Sequence, residues 1–166
     1  GCRVPRANLI GNPGEGLKIL FGSLNRSRPS VAAHALGIAR AAFEDAVEYI
    51  NERRQSGKRI LEFQGIQFML ADLASELALC ESWLWRVAHM VDSGDSDFGI
   101  EASLLKQRAT DAAMRITTDA VQLLGGYGYC NDYRVERLMR DAKITQIWEG
   151  TNQVHRQLIG RSFLKK

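Results

Sequence analysis

Apolar residues recur at steps of three and four along most of this chain, a period typical of helices that bury one face. The stripes predict three long helices and two short ones, over about residues 29–56, 62–91, 98–124, 132–143 and 152–163. Each long helix ends at a turn that contains glycine, at Ser56-Gly57, residues 92–95 and Gly125-Gly126 respectively. Long helices joined by short turns lie antiparallel, so the predicted fold class is all-α, an antiparallel up-and-down helical bundle.

The beginning of the chain differs from the rest. Its three prolines all lie within the first 29 residues, so the later part is free of the strongest helix breaker. Residues 1–16 are rich in turn-forming glycine, proline and asparagine, and we predict an extended segment that leads into a helical domain over 17–166. Apolar residues outside the main stripes indicate a second buried face, against a partner domain or subunit: Trp83, Trp85 and Val87.

Composition limits the classes of function. The 166 residues, 45% hydrophobic and 25% charged, are enough for one domain with a buried core. The net charge is only +3, with no run of like charge, which does not indicate nucleic-acid binding. No apolar stretch approaches the roughly 20 residues that span a bilayer, and no signal-peptide core begins the sequence, so neither membrane insertion nor secretion is predicted.

The cysteines and histidines do not form a metal-binding pattern. Cys2, Cys80 and Cys130 are odd in number and far apart, and we interpret them as reduced thiols of an intracellular protein. The histidines are equally scattered and are interpreted as ordinary residues on helix faces: His34, His89 and His155. No metal site is therefore predicted.

Near the C-terminus, the segment Ile147-Trp148-Glu149-Gly150-Thr151 places one carboxylate between bulky apolar residues and a glycine turn. A carboxylate that such neighbours shield from water is suited to proton abstraction. On the pattern alone, a solvated glutamate at a helix end is the plainer interpretation. If the chain does chemistry, Glu149 is the residue predicted to do it.

Two groups of arginines are candidates for binding anions. The segment Asn25-Arg26-Ser27-Arg28 is predicted to stand just before the first long helix, either as an exposed helix start or as a place of anion capture. Arg53-Arg54 closes that helix, where the helix dipole favours cations, and such a pair is also suited to clamp a pyrophosphate. The glycines at 125–128 follow a helix rather than a strand, so they indicate a helix cap and turn and not a dinucleotide-binding loop.

Four motifs in a fixed order resemble the C-terminal domain of the acyl-CoA dehydrogenases. They are Tyr49 to Lys58 followed by Phe63-Gln64, then Gln122 to Gly128, then Arg137 to Lys143, and finally Glu149-Gly150-Thr151. Together they extend over nearly the whole chain. The first residues also resemble the segment that leaves the family's middle β-domain, as at Val4-Pro5 and Asn8 to Gly11.

The resemblance implies a flavoprotein that oxidises an acyl-CoA thioester to the trans-2-enoyl-CoA. In the family a glutamate removes the α-proton, a hydride leaves the β-carbon for FAD, and electrons pass to an electron-transfer flavoprotein. Hydrogen bonds to the thioester carbonyl stabilise the developing enolate. Glu149 stands at the family's base position. Some relatives take their base from the position of Ser27, whose hydroxyl cannot serve as a base at neutral pH, and this favours Glu149.

The resemblance also implies binding roles by matched position. Residues matched to acyl-CoA contacts are Asn25, Arg26, Ser27, Arg28 and Gly150. Residues matched to FAD contacts are Arg53, Arg54, Gln55, Phe63, Gln64, Thr151, Asn152 and Gln153. A further stretch is matched to contacts with the FAD of a neighbouring subunit, namely Gln122, Leu123, Leu124, Gly125 and Gly126. One position departs from the family: Ser56 replaces a usual phenylalanine, which predicts either looser flavin binding or only a change in local packing.

The motifs belong to one domain of a larger enzyme. The family's N-terminal helical domain and middle β-domain build much of the flavin site and half of the substrate cleft, so this segment alone is expected neither to turn over substrate nor to hold FAD tightly. We expect a homo-oligomer, dimer or tetramer, in bacterial cytoplasm or the mitochondrial matrix. Two alternatives stay open, a non-catalytic helical oligomerisation module and an acyl-CoA oxidase that passes electrons to oxygen. The sequence does not fix the length or branching of the acyl chain.

Overall fold

Helices make up most of the computed structural model, which describes residues 1–164. The three long helices are α1 (Gly16–Glu52), α2 (Gln64–Ser93) and α3 (Phe98–Leu124). They are followed by three shorter ones, α4 (Gly126–Tyr129), α5 (Val135–Thr145) and α6 (Asn152–Ser162). Two short strands, β1 (Arg54–Gln55) and β2 (Lys58–Arg59), lie between α1 and α2. The predicted all-α bundle is confirmed.

The start of α1 was predicted near Pro29, and this prediction was wrong because the helix begins at Gly16. Pro29 lies inside the helix, where it lacks the N–H that would bond the carbonyl four residues earlier. The helix continues through this position because Arg28 and Pro29 are both buried against the rest of the bundle. Residues 25–28 therefore lie within a continuous helix, and the expected helix start at that position does not exist.

Small side chains line the surface where α1 meets α3, its principal neighbour. The buried alanines of α1 are Ala32, Ala35, Ala39, Ala42 and Ala46, and those of α3 are Ala102, Ala109, Ala112, Ala113 and Ala120. Because alanine has no side chain beyond Cβ, the two helices can approach closely along their length. Larger buried residues from α1, α2 and α3, including Ile50, Leu73 and Ile116, fill the space around this contact. Since α3 also contacts α5 and α6, it is the central helix of the bundle.

The hairpin between α1 and α2 is tight. Its strands pair antiparallel, with Gln55 opposite Lys58. The two residues of the turn both have left-handed backbone, at φ 52° for Ser56 and φ 84° for Gly57, as a two-residue turn of the mirror-image type requires. Ser56 is exposed at the tip of this turn.

The turn between α2 and α3 contains the predicted glycine cap, since Gly94 has φ 72° and its N–H bonds the end of α2. The three off-stripe apolar residues of α2 have different surroundings. Val87 is fully buried, and the indole N–H of Trp83 donates to Glu101 of α3 at 2.8 Å. Trp85 is 76% exposed, so it alone of the three remains available for contact with another part of a protein.

The first fifteen residues are almost all exposed and contain one short 3-10 turn, Arg6–Asn8. The first turns of α1 are also exposed, including the apolar side chains of Leu17, Leu20 and Phe21. All three cysteines are free. Within residues 1–164, no helix is both long and apolar enough to cross a membrane.

Candidate functional site

Glu149 lies in the turn between α5 and α6, and its backbone is left-handed with φ 55°. Gly150 follows with φ 93°, so two consecutive residues have a positive φ. Left-handed backbone costs a residue with a Cβ roughly 1–2 kcal/mol. Thr151 then caps α6 by accepting a hydrogen bond from the N–H of Val154 at 3.4 Å. The turn connects the end of α5 to the start of α6, and the side chain of Glu149 extends from this turn.

The carboxylate of Glu149 reaches the first third of α1. Ser27 Oγ donates a hydrogen bond of 2.6 Å to Glu149 Oε2. Both residues line a small pocket of about 240 Å³ together with Ser30, Val31, His34 and Trp148. The rings of His34 and Trp148 meet edge to face with their centres 5.6 Å apart. The pocket therefore combines one carboxylate with an aromatic and largely uncharged wall.

Arg28 follows Ser27 in α1 but does not line this pocket, and it is 5% exposed. Its Nη1 donates to Asn25 Oδ1 at 2.5 Å and to Ser103 Oγ of α3 at 3.2 Å, whereas its Nε is buried without a partner. Burial lowers the pKa of Arg28, and attraction to Glu149 partly offsets this effect. The structure thus brings together three of the residues predicted to bind substrate, Asn25, Ser27 and Arg28, while Arg26 points to the exposed side of the helix.

Two buried side chains hold the backbone of the Glu149 turn. Lys106 Nζ of α3 donates to the carbonyl oxygen of Gly150 at 2.8 Å and to Asn152 Oδ1 at 3.0 Å. His155 Nε2 of α6 lies 3.3 Å from the carbonyl oxygen of Glu149. Burial lowers the pKa of Lys106 to about 8 and that of His155 to about 4. At neutral pH the lysine is therefore charged and the histidine is neutral.

The side chain of Asn152 is committed to bonds within the domain. It is 2% exposed, and its Nδ2 donates to Thr110 Oγ1 at 2.9 Å and to Asp111 Oδ1 at 2.7 Å. Burial by itself raises the pKa of Asp111, but hydrogen bonds from Gln107, Asn152 and Gln146 lower it overall. This network ties α3 to the start of α6 and so fixes the far side of the Glu149 turn.

A second and larger cleft, of about 690 Å³, opens where the end of α1 and the hairpin face the end of α3. It brings together seven residues of the predicted cofactor set: Arg53, Gln55, Gln122, Leu123, Leu124, Gly125 and Gly126. Tyr127 also lines it, with the Arg53 guanidinium 5.7 Å from the centre of its ring. Two motifs that are about seventy residues apart in sequence thus meet in one site.

Other residues of the predicted cofactor set lie elsewhere. Arg54, Phe63 and Gln64 are close to the 690 Å³ cleft along the chain but do not line it. The ring of Phe63 lies beneath Lys58 Nζ, 4.2 Å from its centre. A separate depression of about 430 Å³ is lined by Thr151, Asn152 and Gln153. The predicted residues therefore form more than one surface.

Residues 14–164 match the family model described as acyl-CoA dehydrogenase, C-terminal domain. The chain belongs to the acyl-CoA dehydrogenase family. A curated relative, the acyl-CoA dehydrogenase of Bacillus subtilis, is 48% identical over 163 residues. The match includes 98% of this chain and 43% of that protein, so the chain spans about two fifths of the length of the curated relatives it matches.

Solved structures of the family contain the same bundle. Butyryl-CoA dehydrogenase from Megasphaera elsdenii superimposes with a TM-score of 0.95 at 46% identity, over 98% of this chain and 42% of that one. Acyl-CoA dehydrogenase complexed with FAD, from Bacillus anthracis, gives a TM-score of 0.90 at 31% identity, over 96% of this chain and 30% of that one. The resemblance identified from the four motifs is confirmed.

Sequence reasoning missed two residues of this acyl-CoA dehydrogenase domain. Lys106 was not singled out, and His155 was interpreted as an ordinary helix-face histidine although it is completely buried. One signal for Lys106 was available, because it lies four residues after Ala102 and three before Ala109, both in the apolar stripe, which places a charge on the buried side of α3. No comparable signal marks His155, whose burial depends on how α6 packs against α3.

Proposed function

We propose that this domain supplies the general base of an FAD-dependent acyl-CoA dehydrogenase, and that the base is Glu149. The observation that carries the proposal is the position of its carboxylate, on the wall of a 240 Å³ pocket and hydrogen-bonded to Ser27 at 2.6 Å. Family membership supports dehydrogenation as the class of reaction. The proposed substrate is an acyl-CoA thioester, and the proposed product is the trans-2-enoyl-CoA.

The side chains have distinct parts in this reaction. Glu149 accepts a proton from the carbon next to the thioester carbonyl, and the hydroxyl of Ser27 fixes the orientation of the carboxylate until then. The aromatic wall of His34 and Trp148 keeps water from the carboxylate once the acyl chain is in place. Gly150 is assigned to the thioester end of the substrate.

The substrate-binding segment of α1 serves the same pocket. Arg28 supplies a buried positive charge behind the carboxylate, and Asn25 and Ser103 hold its guanidinium in place. Arg26 is exposed and is assigned to the part of acyl-CoA that lies outside the pocket. This arrangement places polar groups near the thioester and an apolar wall along the acyl chain.

The residues of the larger cleft fit one end of FAD. Arg53 and the amides of Gln55 and Gln122 are donors for phosphate and adenine, and Gly125-Gly126 lets a ligand approach the backbone. The chemistry that FAD supplies when bound is acceptance of the β-hydride. Further contacts are proposed for Arg54, Phe63, Gln64, Leu123, Leu124, Thr151 and Gln153. Asn152 is buried and bonded internally, so we assign it to holding the turn rather than to contacting FAD.

Oligomerisation and electron transfer are part of the same proposal. The larger cleft shares no lining residue with the Glu149 pocket, which supports its assignment to the FAD of a neighbouring subunit in a homo-oligomer. The proposed electron acceptor is an electron-transfer flavoprotein. A purely structural assembly module is the second candidate, favoured by the exposed apolar side chains of Phe68, Leu79 and Trp85 on α2.

An anaerobic absorbance titration of the full-length, FAD-loaded enzyme with straight and branched acyl-CoAs tests the proposal. Native enzyme is expected to lose its oxidised flavin band, whereas Glu149→Gln is expected to keep it with the same quaternary structure. Equal bleaching in both proteins would place the base elsewhere. Bleaching in neither would favour the assembly module. If air is then admitted to the bleached enzyme, rapid reoxidation of the flavin by oxygen alone would favour an acyl-CoA oxidase.

A further inference from the structure

The turn that contains Glu149 is held in an unfavourable backbone conformation. Glu149 has a Cβ and yet has φ 55°, and Gly150 continues the turn at φ 93°. A residue in the left-handed region persists there only when its surroundings fix it. The contacts that fix these two residues therefore also decide where the carboxylate points.

The first of these contacts comes from Lys106. This lysine is fully buried in α3, and its two hydrogen-bond acceptors, the Gly150 carbonyl oxygen and Asn152 Oδ1, are both neutral. Burying an ammonium group against neutral oxygens is costly compared with burying an apolar side chain of the same length. A lysine at this position is therefore poorly explained by stability alone. The hydrogen bond that it donates to the Gly150 carbonyl oxygen gives a better reason for it.

The second contact comes from His155. Its Nε2 lies 3.3 Å from the Glu149 carbonyl oxygen, so this nitrogen carries the proton and donates. The other ring nitrogen, Nδ1, is buried without a partner, as suits the unprotonated nitrogen of a neutral imidazole. The ring also limits residue 150, because a Cβ built on Gly150 would lie 3.2 Å from His155 Nε2.

We propose that Lys106 and His155 form a clamp that positions the base, in which each donates to one of the two consecutive carbonyls of Glu149 and Gly150. Neither residue lines the 240 Å³ pocket, and both act through the backbone of the turn, so they are positioning residues. The inference rests on the proposed function, since it specifies how the same base is held. Loss of either donor releases a left-handed turn, and the carboxylate then leaves the geometry needed for proton transfer.

The test uses the full-length, FAD-loaded enzyme in rapid-mixing experiments, with flavin reduction followed at several acyl-CoA concentrations. Lys106→Met removes the donor but keeps the length of the side chain. We expect its limiting rate of flavin reduction to fall about 100-fold, because a misplacement of about 1 Å costs that much. The half-saturating substrate concentration is expected to stay within about threefold, since the substrate contacts remain. Arg108→Met is the matched control, an exposed cation two residues along the same helix.

A second pair of variants separates positioning from folding. His155→Gln keeps a donor near the position of Nε2, whereas His155→Leu has a similar volume and no donor. We expect the glutamine variant to retain most of the limiting rate and the leucine variant to lose it, at comparable stability in urea. If Lys106→Met fails to fold, the two His155 variants still test whether a donor to the turn sets the limiting rate.

The outcomes separate this inference from the proposed function. If native enzyme and Glu149→Gln reduce flavin equally, the proposed function fails. If Glu149→Gln alone is inactive while Lys106→Met and His155→Leu keep the native limiting rate, the clamp fails and the base assignment stands. A fall in stability without a change in limiting rate would make both residues structural and overturn the clamp.

Discussion

Ser27 Oγ donates a hydrogen bond of 2.6 Å to Glu149 Oε2, across 122 positions of sequence. The bond joins the first third of α1 to the turn between α5 and α6. It exists because α1 begins at Gly16 and runs through Pro29, which places Ser27 on the wall of the pocket. Ser27, which the resemblance matched to the base position of some relatives, is here a hydrogen-bond partner of the proposed base.

Replacing Ser27 tests this relationship. Ser27→Ala is expected to lower the limiting rate of flavin reduction in the full-length enzyme by about 10- to 100-fold, because a hydrogen bond to a charged group contributes roughly 1.5–3 kcal/mol. Ser75→Ala is the control, since Ser75 bonds only the backbone of α2, at Ala71. An unchanged rate in Ser27→Ala would mean that the carboxylate is oriented without this hydroxyl.

The burial of His155 has a consequence for acid stability. The pKa of His155 is lowered from 6.5 to about 4, first by burial and then by Arg28 and Lys106. Between those two values the unfolded chain binds a proton that the native protein does not, so the free energy of unfolding falls as pH falls from about 6.5 to 4. The loss from this residue is on the order of 3 kcal/mol, and it vanishes above about pH 7.

Urea unfolding at several pH values between 4.5 and 7.5 measures this effect. His155→Gln has no imidazole to protonate, so its stability is expected to fall less steeply with acid than that of the native protein. His89→Gln removes an exposed histidine and is expected to follow the native curve. If the free energy of unfolding depends on pH equally in the native protein and in His155→Gln, the claim that His155 is buried and neutral is contradicted.

Two glycines of α4, Gly126 and Gly128, are predicted to differ sharply in how well they tolerate a side chain. A Cβ on Gly128 would lie 2.6 Å from the Val121 carbonyl oxygen and 2.8 Å from Leu124 Cβ, whereas a Cβ on Gly126 meets nothing within 4 Å. Gly128→Ala is therefore expected to lower the free energy of unfolding by about 1–3 kcal/mol, and Gly126→Ala by less than about 0.5 kcal/mol. Chemical unfolding of both variants checks this, and equal stabilities would show that α4 shifts to admit the methyl group.

The arginines after α1 are predicted to be unequal in cofactor binding. Arg53 lines the 690 Å³ cleft and Arg54 does not. Arg53→Met is expected to raise the dissociation constant of FAD in the full-length enzyme about tenfold, the value of one lost charge-assisted hydrogen bond. Arg54→Met is expected to have the smaller effect. Fluorescence titration of the flavin-free protein measures both, and the reverse order would place the cofactor outside this cleft.

The sequence predicts most of the fold because the helical period is uninterrupted. The bounds of α3 agree with the stripe that ends at Gly125, and the capping glycine Gly94 ends α2 as expected. The start of α1 could not be predicted in the same way, since a proline inside a helix depends on tertiary packing to offset the lost hydrogen bond.

The candidate site was only partly predictable, for a related reason. Glu149 and the arginines stand in recognisable motifs, so the resemblance identified them. Lys106 and His155 bond the carbonyl oxygens of a turn, and although the stripe of α3 signals the burial of Lys106, no local pattern encodes either contact. Asn152 shows the opposite case, because its motif suggested a cofactor contact whereas its amide bonds Asp111 inside the domain.

The most direct test of the central claim is deuterium incorporation at the carbon next to the thioester carbonyl, measured by mass spectrometry on acyl-CoA recovered from full-length enzyme in anaerobic D2O. With substrate in excess over flavin, native enzyme is expected to exchange this hydrogen, and Glu149→Gln is expected to exchange it at least about 100-fold more slowly. Equal exchange by both proteins would contradict Glu149 as the base.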